Sequence, residues 1–163
     1  METMEKNNGF TLLELMVVIC VLAVLATVTT PNIISWFEGR KLSRASRDVL
    51  AAVQAARLRA VKERANAVVS FDTANDTFEA FVDDGGGTPA NADNNTRDAG
   101  ETVIKSGSFE TVSITGAAFG ANAFVSFTSR GFPDSSGTVS LQDIHGGTKQ
   151  INVSNTGSAN IQY

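Results

Sequence analysis

The chain has 163 residues, of which 42% are apolar, so it has the size of one ordinary domain with an appendage and the composition of a folded protein. A single cysteine excludes a disulfide framework and a cysteine-rich metal site, and a single histidine argues against a histidine-based metal centre. The net charge of −4 argues against nucleic-acid binding by the chain as a whole. We therefore expect neither a metal nor a cofactor.

Charge is distributed unevenly along the chain. Residues 1–9 carry a net charge of −1, residues 38–64 carry eight basic and three acidic residues for a net of +5, and residues 65–163 carry four basic and eleven acidic residues for a net of −7. This asymmetry predicts a basic stem that leads into an acidic head, with the two parts in different surroundings.

Residues 10–28 form an apolar run, FTLLELMVVICVLAVLATV, whose polar members are Thr11, Glu14 and Thr27. As a helix this run is about 28 Å long, enough to cross a bilayer, and we expect a transmembrane helix over residues 10–30. The alternative is a cleaved secretory signal peptide. It is disfavoured because the run exceeds the usual apolar core of roughly 7–15 residues and no small-residue cleavage site follows it.

Glu14 is the unusual residue of the apolar run. An isolated carboxylate near the centre of a bilayer costs about 2.5–3.5 kcal/mol, so such a residue normally has a partner and a function. Because Glu14 lies close to the start of the run, the alternative is that its side chain reaches back to the membrane surface. Position alone leaves both interpretations open.

The segment Gly9-Phe10-Thr11-Leu12-Leu13-Glu14-Leu15, followed by an apolar helix and Pro31, resembles the processing motif of type IV pilins and type II secretion pseudopilins. The resemblance implies that a prepilin peptidase cuts between Gly9 and Phe10 and methylates the new amine of Phe10. It also implies that Glu14 acts in assembly by pairing with the Phe10 amine of a neighbouring subunit, which supplies the partner that a carboxylate in lipid lacks.

Two features depart from that pattern. Leaders of that family usually carry more Lys or Arg, whereas residues 1–9 carry Lys6 against Glu2 and Glu5. A start at Met4 would leave a leader with no net charge. Four basic residues also follow the apolar run closely, and the positive-inside rule would place them in the cytoplasm: Arg40, Lys41, Arg44 and Arg47. The resemblance instead implies a single-pass anchor in the bacterial inner membrane with the head in the periplasm. We follow the resemblance because its motif is more specific than a charge count.

The segment after the apolar run predicts an amphipathic stem helix over residues 31–64. Pro31 lacks an amide hydrogen and predicts a helix kink, and Gly39 adds a second soft point. An apolar stripe then recurs at spacings of three and four, widened by Leu50 and Val61: Leu42, Ser46, Val49, Val53, Ala56 and Ala60. The basic residues fall mostly off this stripe, which indicates a solvated face or, alternatively, a phosphate-binding surface for anionic lipid or DNA.

The remaining residues, 65–163, read as short alternating strands separated by Gly, Pro, Asn and Asp. The predicted strands are Ala67–Phe71, Thr77–Val82, Thr102–Lys105, Val112–Thr115, Phe124–Phe127, Gly137–Leu141, Gln150–Ser154 and Asn160–Tyr163. They predict two antiparallel sheets or a partly closed arrangement, with the stem packed against it. The expected fold class is α+β: a long N-terminal helix, membrane-spanning in its first half and amphipathic in its second, packed on an antiparallel β-sandwich-like head.

Three further segments resemble GspH/FimT-like minor pseudopilins and minor pilins: Val53–Arg64, Phe127–Phe132 and Ile151–Gly157. The resemblance implies a structural subunit of the periplasmic pseudopilus, which helps a type II secretion system to export folded proteins. The implied partners are other pseudopilins or pilins, the prepilin peptidase and the inner-membrane assembly platform. The alternative is a minor type IV pilin acting in pilus assembly, adhesion or DNA uptake. Related DNA receptors use basic residues after a Thr-Gly pair, and residues 158–163 have none.

Two other constellations bear on chemistry. The acidic loop between residues 83 and 101 offers oxygen ligands for calcium, but Arg97 and Asp98 occupy positions that break the EF-hand template, so a solvated loop is expected. His145 and Asp143 lie near several serines, as in a hydrolase, yet no nucleophile elbow is present. We expect no enzyme, with a membrane-anchored surface enzyme as the remaining alternative. Cys20 is expected to be a small apolar residue of the helix.

Overall fold

The structure, a computed structural model, describes residues 9–162, and within that range the side chains outside residues 27–38. The described part consists of one long helix, α1 (Leu12–Glu63), followed by eight strands and a short 3-10 turn, Pro89–Asn91. The strands are β1 (Asn66–Asp72), β2 (Thr77–Asp83), β3 (Val103–Ser108), β4 (Val112–Phe119), β5 (Phe124–Phe127), β6 (Gly137–Asp143), β7 (Thr148–Val153) and β8 (Ala159–Gln162). The chain divides into two compact units, an N-terminal unit up to Phe37 and a stem–head unit from Glu38 onward.

In the N-terminal unit, α1 begins directly after Thr11. The hydroxyl of Thr11 accepts a hydrogen bond from the backbone N–H of Glu14 at 3.2 Å, and its carbonyl accepts one from the N–H of Leu15 at 3.2 Å. These are the bonds of a helix N-cap, which satisfies donors that otherwise lack a partner in the first turn. Apolar side chains from Leu12 to Leu25 are largely exposed.

No helix among the described residues is long and apolar enough to span a membrane. The transmembrane segment predicted over residues 10–30 extends into residues 27–30, whose side chains lie outside the description. The helix α1 continues without interruption past Pro31 and Gly39. The kink predicted at Pro31 falls within residues 27–38 and stays a prediction, and the leader residues 1–8 lie outside the described chain.

In the stem–head unit, the buried face of α1 follows the predicted stripe. Every residue of the set Leu42, Ser46, Val49, Val53, Ala56 and Ala60 is at most 3% exposed, and Ala45 and Ala52 join it. Ser46 is tolerated there because its hydroxyl donates to the carbonyl of Leu42 at 2.7 Å. The prediction that Val61 widens the stripe is wrong, since Val61 is 48% exposed. The helix ends at Glu63, and Arg64 takes a left-handed φ of 56°.

The strands form two four-stranded sheets in the described residues, ordered β3-β2-β1-β5 and β4-β6-β7-β8. Every pairing between neighbouring strands is antiparallel. All eight predicted strands are present. The strands β3, β4 and β6 extend further than predicted, to Ser108, Phe119 and Asp143, and β7 begins earlier, at Thr148. Tyr163, the end of the last predicted strand, lies outside the described residues. The predicted α+β class, with a helix packed on an antiparallel two-sheet head, is therefore confirmed.

One hydrophobic core joins the buried face of α1 to both sheets. Phe71 of β1 and Phe119 of β4 stack across it, with ring centroids 5.9 Å apart. The turn between β1 and β2 also ties the sheets together, because the carboxylate of Asp76 accepts a hydrogen bond from the N–H of Ile114 at 2.7 Å. In the same turn, hydrogen bonds from the side chain of Asn75 and from the backbone of Ala74 and Asn75 lower the pKa of Asp72.

The core predicts that replacing two leucines of the stem–head unit by alanine has very different effects on the free energy of unfolding. Leu141 of β6 is fully buried, whereas Leu58 on α1 is 69% exposed. We expect Leu141→Ala to lower the free energy of unfolding by about 2–5 kcal/mol because it leaves a cavity. Leu58→Ala, which deletes the same atoms, should change it by about 0.5 kcal/mol or less. Urea unfolding of residues 38–163, followed by circular dichroism, measures both, and equal losses would contradict the described core.

Candidate functional site

The segment predicted to be processed is accessible in the structure. Gly9 and Phe10 precede the first turn of α1 and belong to no helix or strand. The ring of Phe10 is 83% exposed, and a side chain placed on Gly9 would meet nothing within 4 Å. The peptide bond between them is therefore outside the hydrogen-bonded helix and accessible from the surroundings.

Glu14 lies in the first turn of α1, exposed, where its charge complements the partial positive charge of the helix N-terminus. The sequence Thr11-x-x-Glu14 before an apolar run is the pattern of a capping box, and the Thr11 half of that box is formed. The N-cap formed by Thr11 was not predicted from the sequence, although a threonine three residues before a glutamate was the signal for it.

The stem is fixed to both sheets by polar bonds at the edges of its buried face. Lys105 of β3 forms an ion pair with Asp48 of α1 at 2.9 Å. Lys149 of β7 donates to the hydroxyl of Ser43 at 2.9 Å. These two lysines belong to different sheets, so each sheet has its own polar attachment to the helix.

Arg57 makes the third attachment, and it brings together the three segments that carry the family resemblance, one in the stem and two in the head. Its Nε donates to the carbonyl of Gly131 at 3.0 Å, and its Nη1 donates to the carbonyl of Gly157 at 3.0 Å. The partners are 74 and 100 residues away along the chain. Charged donors to backbone carbonyls form strong hydrogen bonds, so one side chain fixes two distant turns on the stem.

Both turns need glycine at the position that meets Arg57. Gly131 has a φ of 78° and Gly157 a φ of 77°, conformations that residues with side chains rarely adopt. A side-chain carbon on Gly157 would also lie 2.7 Å from the carbonyl oxygen of Gly131, and one on Gly131 would lie 2.9 Å from Val61. The two glycines therefore permit both the turn and the close approach to α1.

A groove of about 460 Å³ opens beside Arg57, between the stem and the start of β8. The exposed side chains of Leu58 and Val61 form its helix wall, and residues 157–159 form the opposite wall. Val61 is thus exposed because its face of the helix borders this groove rather than a sheet. The residues after Gly157 form β8, an edge strand without Lys or Arg. Arg57, the cation that lines the groove, already donates hydrogen bonds to two carbonyls.

The acidic loop between β2 and β3 is more buried than expected. Asp83 and Glu101 are at most 5% exposed, which corrects the prediction of a wholly solvated loop. Both oxygens of Glu101 accept backbone N–H groups, from Gly85 at 3.0 Å and from Asp98 at 2.9 Å, and Asp83 accepts from Asn95 at 2.7 Å. These carboxylates organise the loop backbone.

The residues weighed for metal binding and catalysis serve other purposes in the structure. Within the described residues, no group of three or more His, Cys, Asp and Glu side chains is arranged to hold a metal ion. Asp143 accepts hydrogen bonds from the N–H groups of His145 and Gly147, at 2.9 and 2.8 Å, and so closes the turn between β6 and β7. Cys20 is exposed on α1.

Comparison with known proteins agrees with this combination of a processing motif, a stem helix and a two-sheet head. The type II transport protein GspH family matches residues 45–157, and the prokaryotic N-terminal methylation motif matches residues 4–30. The fold is that of pilin-like proteins. The chain belongs to the GspH family.

Solved structures of two minor subunits share the fold. The type IV minor pilin FimU of Pseudomonas aeruginosa superposes with a TM-score of 0.54 and 15% identity, over 78% of this chain and 92% of that one. The minor pseudopilin EpsH of Vibrio cholerae superposes with a TM-score of 0.55 and 10% identity, over 75% of this chain and 96% of that one. At these identities the likeness concerns the fold.

A curated relative matches over a shorter stretch. The type II secretion system core protein G of Vibrio cholerae is 41% identical over 51 residues, which are 31% of this chain. The chain spans 35% of the length of that relative.

The junction at Arg57 predicts different costs for two glycine substitutions. Gly157→Ala strains a left-handed backbone and also pushes a methyl group against the carbonyl of Gly131. We therefore expect it to lower the free energy of unfolding by about 1–3 kcal/mol more than a substitution that causes backbone strain without this clash. Gly146→Ala is the matched control, since Gly146 has a φ of 85° and open space around it. Urea unfolding of residues 38–163 compares them, and equal losses would contradict the close packing at Gly157.

Proposed function

We propose that this chain is a minor pseudopilin of a type II secretion system, a structural subunit of the periplasmic pseudopilus that helps to export folded proteins. The single observation that carries the proposal is the GspH match over residues 45–157 in a chain that also carries the methylation motif in residues 4–30. The fold shared with EpsH is consistent with it. We propose that its role is mechanical rather than catalytic.

The anchor of this subunit is the apolar run over residues 10–30. In this proposal it crosses the inner membrane once, with the head in the periplasm. The exposed apolar side chains from Leu12 to Leu25 support it, because a contiguous apolar surface of this kind requires lipid or a protein partner. After assembly, the same surface packs against the helices of other pseudopilins or pilins.

Processing at Gly9 and Phe10 prepares the subunit for assembly. A prepilin peptidase that cuts this bond needs the scissile segment in an extended, accessible form, and both residues lie outside α1 with open space at Gly9. The absence of a side chain on Gly9 permits a close approach by the enzyme. Cutting creates an amine on Phe10, and methylation keeps its positive charge.

Glu14 then pairs with the Phe10 amine of a neighbouring subunit. The pair replaces a lone carboxylate in an apolar environment with a neutralised one, which favours lateral packing of helices in one axial register. Thr11 supports this geometry, because its cap fixes where the helix starts relative to both residues. The inner-membrane assembly platform is the proposed partner that moves the paired subunits into the filament.

The second candidate is a minor type IV pilin, favoured by the fold shared with FimU. The two functions differ in phenotype. Loss of the gene should stop export of folded proteins in the first case and pilus-dependent movement in the second. Export defects with normal piliation support the secretion role, whereas normal export with lost pili would overturn it.

Processing predicts a definite mass for the protein extracted from membranes. We expect intact-mass measurement to show the loss of residues 1–9 and the addition of one methyl group. Gly9→Leu should retain the leader, because a bulky side chain blocks the approach of the peptidase to the scissile bond. Asn7→Leu, which places the same bulky side chain two residues earlier in the leader, should leave cutting normal. A native protein that keeps its first nine residues would overturn the proposal.

The proposed pairing predicts the effect of neutralising Glu14. Glu14→Gln should still insert in the membrane and still lose its leader, since the cut lies before the helix. Its incorporation into filaments should fall to background, because the amide cannot neutralise the amine of Phe10. Glu110→Gln makes the same chemical change at an exposed residue that stays in the processed chain, and it should assemble normally. The measurement is the amount of each variant in sheared filaments, and normal incorporation of Glu14→Gln would reject the pairing.

A further inference from the structure

The outer face of the stem carries a cluster of arginines at its start. Arg40, Arg44 and Arg47 are spaced four and three residues apart, so they lie on one face of α1. All three are exposed, and this face is opposite Val49, which is fully buried in the core. The cluster therefore points away from the head to which the stem is attached.

The two acidic side chains of the stem that the structure describes are engaged elsewhere. Asp48 is bound to Lys105 of β3, and Glu63 is bound to Arg59 one turn before it on α1. Arg40 is itself engaged within the chain, so the inference rests on Arg44 and Arg47. A guanidinium group is a planar cation with several donors, which suits it to binding anions.

The position of this face along the chain indicates what it meets. It begins at Arg40, ten residues after the predicted anchor ends at residue 30, and Trp36 and Phe37 lie between the two. Tryptophan is enriched where membrane helices leave the hydrocarbon, and basic residues that follow an anchor attract anionic phospholipids. The stem–head unit carries +5 over residues 38–64 and −7 over residues 65–163, so its net charge of −2 would repel such a membrane. Any attraction of this unit to an anionic membrane must therefore come from a local basic face.

We propose that Arg44 and Arg47, with Arg40 beside them, bind the phosphate groups of anionic phospholipids at the surface of the membrane that anchors the chain. The proposal rests on the membrane anchoring in the proposed function. Guanidinium groups suit this contact because they donate paired hydrogen bonds to phosphate oxygens. The contact holds the stem at the membrane surface before assembly and is released when the subunit leaves the bilayer.

Native mass spectrometry of the purified full chain in detergent tests this binding, with phosphatidylglycerol and phosphatidylcholine added separately at low salt. The double variant Arg44→Gln/Arg47→Gln should weaken phosphatidylglycerol binding about fivefold for each arginine, on the order of 25-fold in all. Binding of phosphatidylcholine should not change. The control is Lys62→Gln/Arg64→Gln, which removes the same charge from exposed residues at the other end of the stem and should bind phosphatidylglycerol as the native chain does.

Unchanged phosphatidylglycerol binding by Arg44→Gln/Arg47→Gln would overturn the proposal, as would an equal loss in the control variant. Unchanged lipid binding with reduced filament incorporation would assign the face to an acidic neighbouring subunit, which also overturns it. Flotation of residues 38–163 with phosphatidylglycerol vesicles measures the face without the anchor, since this unit has its own core. A failure of the anchoring in the proposed function therefore stays distinguishable from a failure of the arginine face.

Discussion

The packing of one face of α1 against both sheets is the constraint on which the stem–head unit depends. Each sheet is antiparallel and contributes one apolar face, and neither face is covered without the helix and the opposite sheet. Small residues such as Ala52, Ala56 and Ala60 make this possible because they let the helix backbone come close to the strands. Lys105, Lys149 and Arg57 then fix the helix against sliding with directional bonds.

Much of this arrangement follows from periodicity in the sequence. The three-and-four spacing from Leu42 to Ala60 predicts the buried face of the stem, and period-two alternation with turn residues predicts all eight strands. Alanine is ambiguous in such patterns because it is common on both buried and exposed faces, so Ala45 and Ala52 were missed. Val61 was assigned to the core on spacing alone, although no sheet covers that turn of the helix.

Contacts between distant residues could not be predicted from local pattern. Nothing in the strands themselves indicates that β1 lies between β2 and β5, or that β4 pairs with β6. The sequence pattern predicted that Arg57 lies on the solvated face of the stem, because its two carbonyl partners are 74 and 100 residues away along the chain. The burial of Asp83 and Glu101 was missed for a similar reason: loop composition indicates turns but not which carboxylates bind the loop's own backbone.

The junction of Arg57 with Gly131 and Gly157 has an evolutionary consequence. One guanidinium donates hydrogen bonds to the carbonyls of two turns, and each turn needs glycine to approach it closely. The contribution of each of the three residues to stability therefore depends on the other two. A lineage that exchanges the arginine removes one of the constraints on each glycine, the close approach to the guanidinium, and leaves the left-handed backbone of each turn. Across relatives, these three positions should therefore drift together, as a linked set of substitutions rather than as independent sites.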